Sequence, residues 1–441
     1  MNNLIVPQTY TRIIVLFLVT GLLLPSKNIM LVKSDNEDSI SDMIFNADFD
    51  QRIEQLMLQG HIPSIAASVV YKDEIVWVKG YGNQSNIDTV YKLYSISKTF
   101  TSTAILQLYE QETIDLDDDV NDYLPFEFRN PNYPNTSITF RHLLSHRSSL
   151  SYSDTYSLNL RDLNPPFPEN LEEYTTPSGS LYSSNIWMDV EPGERTQYSN
   201  LGFDLLAYLV ELITQQPFEQ YVSDYILTPL EMINTQYNIS DYNSTQLAYG
   251  SSYNFNSEEN ELYDHFNVNG LGSAALQTTV TDLSHFMIAH MNEGEWNSIQ
   301  ILNDTTVELM HTDQGNGFGL GWLTPYSALG YPSLEGHTGG GWGFHSYMFI
   351  NSIESIGVIL FVNQDFRYLY ELEDILDIAG KETAIFATVL QAGYQMEEKI
   401  SSQSSSTSSD DGLVWLVISA LGLGVTILVF GLVFLRKMMK G

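Results

Sequence analysis

Residues Ser95–Gln111 read SISKTFTSTAILQLYEQ, and the reading of this stretch decides the fold. Phe100, Ala104, Ile105 and Leu108 fall at helical spacing, so the segment is expected to be a helix with Ser95 at its head. A serine is a weak nucleophile until a base takes its proton. On a helix, positions i and i+3 share a face, so Lys98 brings its amine beside the Ser95 hydroxyl. The positive end of the helix lowers the pKa of that amine and favours an anion developing nearby. A lone Ser-x-x-Lys arises by chance in a chain of this length, so the reading needs partners elsewhere.

Two further elements follow in order. Tyr198-Ser199-Asn200 comes after the turn-like Glu191-Pro192-Gly193-Glu194 and opens into the helical run Leu201–Leu212. The phenol there can relay a proton between Ser95 and a leaving group, and the Asn200 amide can hold Lys98 and a substrate carbonyl. Tyr133-Pro134-Asn135 repeats the pattern inside a Pro-rich loop and is set aside. The third element is Gly336-His337-Thr338-Gly339-Gly340-Gly341, ahead of a strand at Gly343–Asn351. Its glycines let a substrate backbone approach a sheet edge, and a strand N–H with that of Ser95 can form an oxyanion hole. Taken alone it reads equally as a glycine-rich loop.

The ordered trio SISK, YSN and HTG resembles the serine β-lactamase and penicillin-binding-protein superfamily, and its tyrosine resembles the class C β-lactamase, D-peptidase and esterase branch. LLSHRSSL at Leu143–Leu150, EPGERTQYSN and GFGLGW at Gly317–Trp322 fit as well. The resemblance covers about Phe45 to Gln395. It implies an α/β (mixed α+β) fold of β-lactamase/transpeptidase type, a central antiparallel sheet flanked by helices plus an all-helical lobe. It implies that Ser95 is nucleophile, that Lys98 and Tyr198 form the base/acid pair, and that Asn200 orients. It further implies that His337, Thr338 and Gly339 face the substrate and that Gly340 supplies the second oxyanion N–H. Where class C β-lactamases carry lysine, this chain has His337, which suits a carboxylate only when protonated, near pH 5–6. Arg147 stands where a neutral residue is common and either touches substrate or packs on the surface.

Outside these motifs, Phe49–Gln59, Thr279–Glu293 and Leu369–Lys399 read as helices, the second with Thr281 or Asp282 as N-cap. Ser64–Tyr71 and Glu74–Lys79 read as a hairpin around Lys72-Asp73, and Gly357–Asn363 as a late strand. Strands at both ends with helices between give one sheet assembled from distant sequence. Pro131–Asp189 is expected to be an irregular, mostly helical insertion.

The chain has 54 Asp+Glu against 19 Lys+Arg, a formal net charge of −35. Such a surface repels phosphate backbones, so nucleic acid is excluded as a partner. No cysteine is present, which removes thiolate chemistry and Cys-based zinc sites. His142 and His146 are read as a structural pair on a helix surface, and the mechanism calls for neither metal nor cofactor. Both ends speak to membranes. Residues 1–26 hold a short apolar run behind Arg12, a signal peptide or N-terminal anchor. A hydrolase domain at 45–399 and a Ser-rich linker at 400–412 lead to an uncharged segment, 413–435. That segment would reach about 34 Å as a helix, enough to span a bilayer. The tail 436–441, with Arg436, Lys437 and Lys440, would be cytoplasmic. The expectation is an extracellular, membrane-anchored serine hydrolase acting on a small-molecule or peptide substrate through an acyl-enzyme on Ser95. The bond would be an ester or (D-)peptide/amide. Alternatives are a cell-wall carboxypeptidase/transpeptidase, a β-lactamase, or a catalytically silent binding protein. Five Asn-x-Ser/Thr sequons permit glycosylation.

Overall fold

The computed structural model describes residues 40–83, 85–151, 169–315, 317–324, 333–365 and 372–405. The expected N-terminal segment 1–26, the span 413–435 and the basic tail lie outside the described residues. Among the described residues no helix is long and apolar enough to cross a membrane. The described chain falls into two compact units, one reaching His61 and resuming beyond Leu369, the other beginning at Ile62.

In the first unit, helix α1 (Ala47–Gln59) starts where Asn46 Oδ1 accepts the backbone N–H groups of Asp48 and Phe49, satisfying donors the helix itself cannot. Phe49, Ile53, Leu56 and Met57 make its buried stripe, as their spacing predicts. The long C-terminal helix of this unit covers Leu372–Ser405, six residues into the Ser-rich linker expected at 400–412.

The second unit carries the sheet and the site. Its strands are β1 (Ser64–Tyr71), β2 (Glu74–Gly82), β3 (Leu334–Gly341), β4 (Phe344–Asn351) and β5 (Ile356–Val362), in spatial order β2-β1-β5-β4-β3, all antiparallel. Central strand β5 is buried at every position, and so is β1 except at Tyr71. Their sequences SIAASVVY and IGVILFV accordingly show no polar alternation. Strand β3 lies at the edge. The Gly336–Gly341 run is therefore itself strand, not a loop ahead of one; its glycines lack β propensity but leave room for what packs against it.

Helix α2 (Ser97–Glu110) is buried at every position from Ser97 to Leu108. Its Thr99, Thr101 and Thr103 hydroxyls donate to carbonyls of Ile96, Gly272 and Thr99, so these threonines are satisfied inside the core. On one side Phe100 stacks on Phe286, ring centroids 3.9 Å apart, a residue of the helix Val280–Met291. That helix is capped by Thr279, whose Oγ1 accepts from Asp282 N, rather than by Thr281 or Asp282 as expected. It packs on β1 and β5, with Ser284 Oγ 2.9 Å from Ser68 Oγ. On another side α2 meets the helix Asn200–Thr214. Of the Pro131–Asp189 insertion, the described helical parts are short, chiefly Phe140–Leu144 and Glu169–Thr175.

Candidate active site

Ser95 does not begin the α-helix. It sits in a 3-10 turn, Tyr94–Ile96, that feeds α2 two residues later. Tyr94 takes φ +46°, a left-handed conformation that a bulky residue adopts only where its surroundings hold it. They do so from three directions. Tyr94 Oη donates to the Trp342 carbonyl at 2.9 Å, Ser346 Oγ donates to the Leu93 carbonyl at 2.7 Å, and Leu276 N donates to Ser97 Oγ at 3.1 Å. The turn bearing Ser95 is thereby pinned to the β3–β4 hairpin and to the 270–276 segment.

Lys98 lies fully buried behind half-buried Ser95. Its Nζ is 3.2 Å from Ser95 Oγ and donates to Asn200 Oδ1 at 2.7 Å and to the Ser273 carbonyl at 2.8 Å. Asn200 is placed by the helix start, where Ser199 caps with Oγ accepting from Gly202 N. Burial pushes the Lys98 ammonium down to about 7, opposed by the negative charge of Asp204. Two acceptors and one hydroxyl suit a neutral amine, with two N–H groups and one lone pair.

The Tyr198 ring lies 4.8 Å from Lys98 Nζ and 4.3 Å, centroid to centroid, from the ring of His146. His146 is not on a helix surface, as expected, but buried beneath the site. Its Nδ1 accepts from Ser199 N at 3.2 Å, and burial, with Lys98 and His337 nearby, holds it well below the usual imidazole range. His142 instead completes a capping box with Thr139. Arg147 neither reaches into the site nor lies free on the surface: Nη1 donates to the Gln314 carbonyl at 2.9 Å and Nη2 to that of Gly193, tying down the turn before Tyr198.

On β3, His337 comes within 6.3 Å of the Tyr198 ring, centroid to centroid. Its side chain is buried, with Nδ1 2.5 Å from the Thr338 carbonyl. Burial and the nearby Lys98 lower it to about 3, so the expected protonation near pH 5–6 is corrected: this imidazole stays neutral there. Thr338 is half-buried and Gly340 exposed along the edge. Gly339 faces the nucleophile's turn so closely that a Cβ would collide with the Leu93 carbonyl and Ser346 Oγ; one on Gly341 would strike the Tyr94 ring. The structure thus brings Ser95, Lys98, Tyr198, Asn200 and His337 into one site beside β3.

Three contributors escaped the sequence reading. Ser273 acts through a backbone carbonyl, which no side-chain pattern reveals. His146 stood within a quoted motif but was read as a structural residue of a helix surface, outside the site. Asp204 did leave a signal, a lone carboxylate in the apolar run Leu201–Leu206; it accepts from Ser273 N and Ser273 Oγ.

A serine and a buried lysine one turn apart, beside a tyrosine and an edge strand, define a serine hydrolase of the β-lactamase/transpeptidase fold. The chain belongs to the Beta-lactamase family, whose model matches residues 49–380. It is similar to Protein flp of Staphylococcus aureus (strain MW2), 26% identical over 359 residues, covering 79% of this chain and 69% of that protein. It is 32% identical over 278 residues to Beta-lactamase-like protein 2 of Dictyostelium discoideum, covering 58% of this chain and 47% of that one. Among solved structures, it resembles the octameric penicillin-binding protein homologue from Pyrococcus abyssi, with TM-score 0.58 and 23% identity, covering 72% of this chain and 73% of that one. It also resembles a D-stereospecific amidohydrolase from Streptomyces sp., with TM-score 0.55 and 24% identity, over 75% of this chain and 97% of that one. A third likeness is to EstCE1, a hydrolase with promiscuous acyltransferase activity, with TM-score 0.58 and 19% identity, over 79% of this chain and 100% of that one.

Proposed function

We propose that this hydrolase works through an acyl-enzyme on Ser95 and cleaves an ester or a (D-)peptide/amide bond, favouring substrates without a carboxylate over β-lactams. The observation that carries the reading is Lys98 Nζ held by Asn200 Oδ1 and the Ser273 carbonyl, with Ser95 Oγ within reach. Neutral Lys98 accepts the Ser95 hydroxyl proton as Oγ bonds to the acyl carbon, and the carbonyl electrons move onto oxygen. The N–H groups of Ser95 and Gly340 are assigned to that oxyanion. As the tetrahedral centre collapses, the leaving alkoxide or amine departs with a proton supplied by the Lys98–Tyr198 pair. Water then repeats the sequence, giving its proton to the same pair and releasing the acid and Ser95. Thr338, Gly339 and His337 line the substrate side of β3. Neutral His337 offers no charge to a substrate carboxylate, which supports esters and neutral amides over β-lactams.

The catalytic body is assigned to the cell exterior, anchored by 413–435 with the tail 436–441 in the cytoplasm and 1–26 as signal peptide or second anchor; the hydropathy and charge of these segments support this. The test is turnover by the purified full chain of neutral p-nitrophenyl esters, D-peptides with an amidated C-terminus and a chromogenic cephalosporin. Ester or peptide turnover that disappears in Ser95→Ala supports the reading. A cephalosporin as the best substrate would make the protein a β-lactamase, and binding without turnover a silent receptor.

A further inference from the structure

Asp204 has no part in the chemistry above, yet it is wholly buried within the helix Asn200–Thr214, between Phe203 and Leu205. Burying a carboxylate is costly unless hydrogen bonds and an opposite charge compensate it. Both of its oxygens are held by Ser273: Oδ1 accepts from Ser273 N at 2.8 Å and Oδ2 from Ser273 Oγ at 3.1 Å. The carbonyl of that same Ser273 accepts from Lys98 Nζ at 2.8 Å. A neutral asparagine could anchor a backbone N–H equally well, so anchoring alone does not account for a charge here. Lys98 does.

Besides the Ser273 carbonyl, the groups facing Lys98 come from four directions. Ser95 lies on its own turn, and Asn200, Asp204 and the rings of Tyr198 and Phe203 lie at or near the start of the facing helix. His146 approaches from beside Phe140–Leu144, and His337 from β3. Both histidines are held neutral by burial, so among the described residues Asp204 is the anionic group acting on Lys98. Burial drives the proton off Lys98 and Asp204 draws it back, which suits an amine that must both take and return a proton in each cycle.

We propose that Asp204 is a positioning residue of the active site: it fixes Ser273 so that its carbonyl holds Lys98 Nζ against Ser95, and its charge sets how readily Lys98 exchanges the Ser95 proton. This rests on the acyl-enzyme reading above.

The experiment follows the rate of fluorophosphonate labelling against pH for the full chain and for Asp204→Asn, which keeps an acceptor for Ser273 N and removes the charge. Labelling requires neutral Lys98, so the wild-type rate falls as pH drops through the Lys98 titration. Without Asp204 the amine holds its proton less tightly, so this acid limb moves down by about one pH unit, roughly the effect of one nearby charge. A limb that stays in place or moves upward while the plateau drops would reduce Asp204 to a loop anchor and overturn the proposal. Labelling that persists in Ser95→Ala would instead sink the underlying acyl-enzyme reading. Should Asp204→Asn fold poorly, the cycle with Lys98→Met decides by thermal unfolding. A charge pair predicts that the double variant loses less stability than the two single losses summed; additive losses would contradict it.

Discussion

Gly339 is where the edge strand and the nucleophile's turn come closest, and Gly339→Ala isolates what that approach contributes. The added Cβ would run into the Leu93 carbonyl oxygen, a backbone atom, and into Ser346 Oγ. Neither can step aside freely, because Ser346 Oγ already donates to that same carbonyl at 2.7 Å. Overpacking of this kind costs about 1–3 kcal/mol, and loss of the Ser346–Leu93 hydrogen bond adds about 1 kcal/mol. Relief comes by moving Leu93, two residues before Ser95, away from β3. A displacement of about 1 Å at a reacting centre lowers rate by roughly 10²-fold. We expect Gly339→Ala to fold with a melting temperature lower by several degrees and kcat/KM on a neutral ester reduced about 10²-fold. The control is Gly340→Ala, at an exposed position where the Cβ meets only the His345 ring, at 3.0 Å from Cδ2. It keeps its N–H and should stay within about threefold of wild type. Thermal unfolding and steady-state kinetics of the two purified variants suffice. Wild-type kcat/KM in Gly339→Ala, or a larger loss in Gly340→Ala, would refute the reasoning.

Because His337 stays neutral down to about 3, the KM ratio of carboxylate-bearing to neutral substrates should be flat between about pH 5 and 8; improvement near pH 5–6 would show that the ring protonates and contacts the carboxylate. His146, His290 and His337 are all held below the ordinary imidazole value, chiefly by burial. Below about pH 6.5 the unfolded chain therefore binds protons that the folded chain refuses, so stability declines as pH falls from there toward the folded values. For each histidine the slope approaches about 1.4 kcal/mol per pH unit, read from denaturant unfolding at pH 7, 6 and 5, and a pH-independent midpoint would contradict it. Protease added to intact cells should cut within Ser401–Asp411, releasing an active soluble fragment and leaving the 436–441 tail protected; an accessible tail would reverse the proposed orientation.

The hairpin β1–β2, the late strands and the helices at 47–59 and 200–214 were legible because each depends on local periodicity, and observed ends depart from expected ones by a few residues. Strand β3 was not legible as strand. Its glycine run has Thr338 alone among β-branched residues to mark it, and its conformation is imposed by pairing with β4 and by the turn packed against it. The 3-10 turn at Ser95 was hidden for a similar reason, since the left-handed Tyr94 is held by Trp342, far along the chain. In the site, Ser95, Lys98, Tyr198, Asn200 and His337 could be found by motif order. The charge state of His337 could not, because it follows from burial. Nor could the Ser273 carbonyl, which only the folded 270–276 segment delivers to Lys98.

The central claim, that Ser95 carries the acyl group, is tested most directly by mass spectrometry of the full chain after reaction with a fluorophosphonate, followed by peptide mapping. The account predicts one adduct, on Ser95, absent from Ser95→Ala. It also predicts that Ser97→Ala still labels while losing about 1–3 kcal/mol of stability, because the Leu276 N–H loses its acceptor Ser97 Oγ. An adduct on any other residue, or one that survives Ser95→Ala, would contradict it.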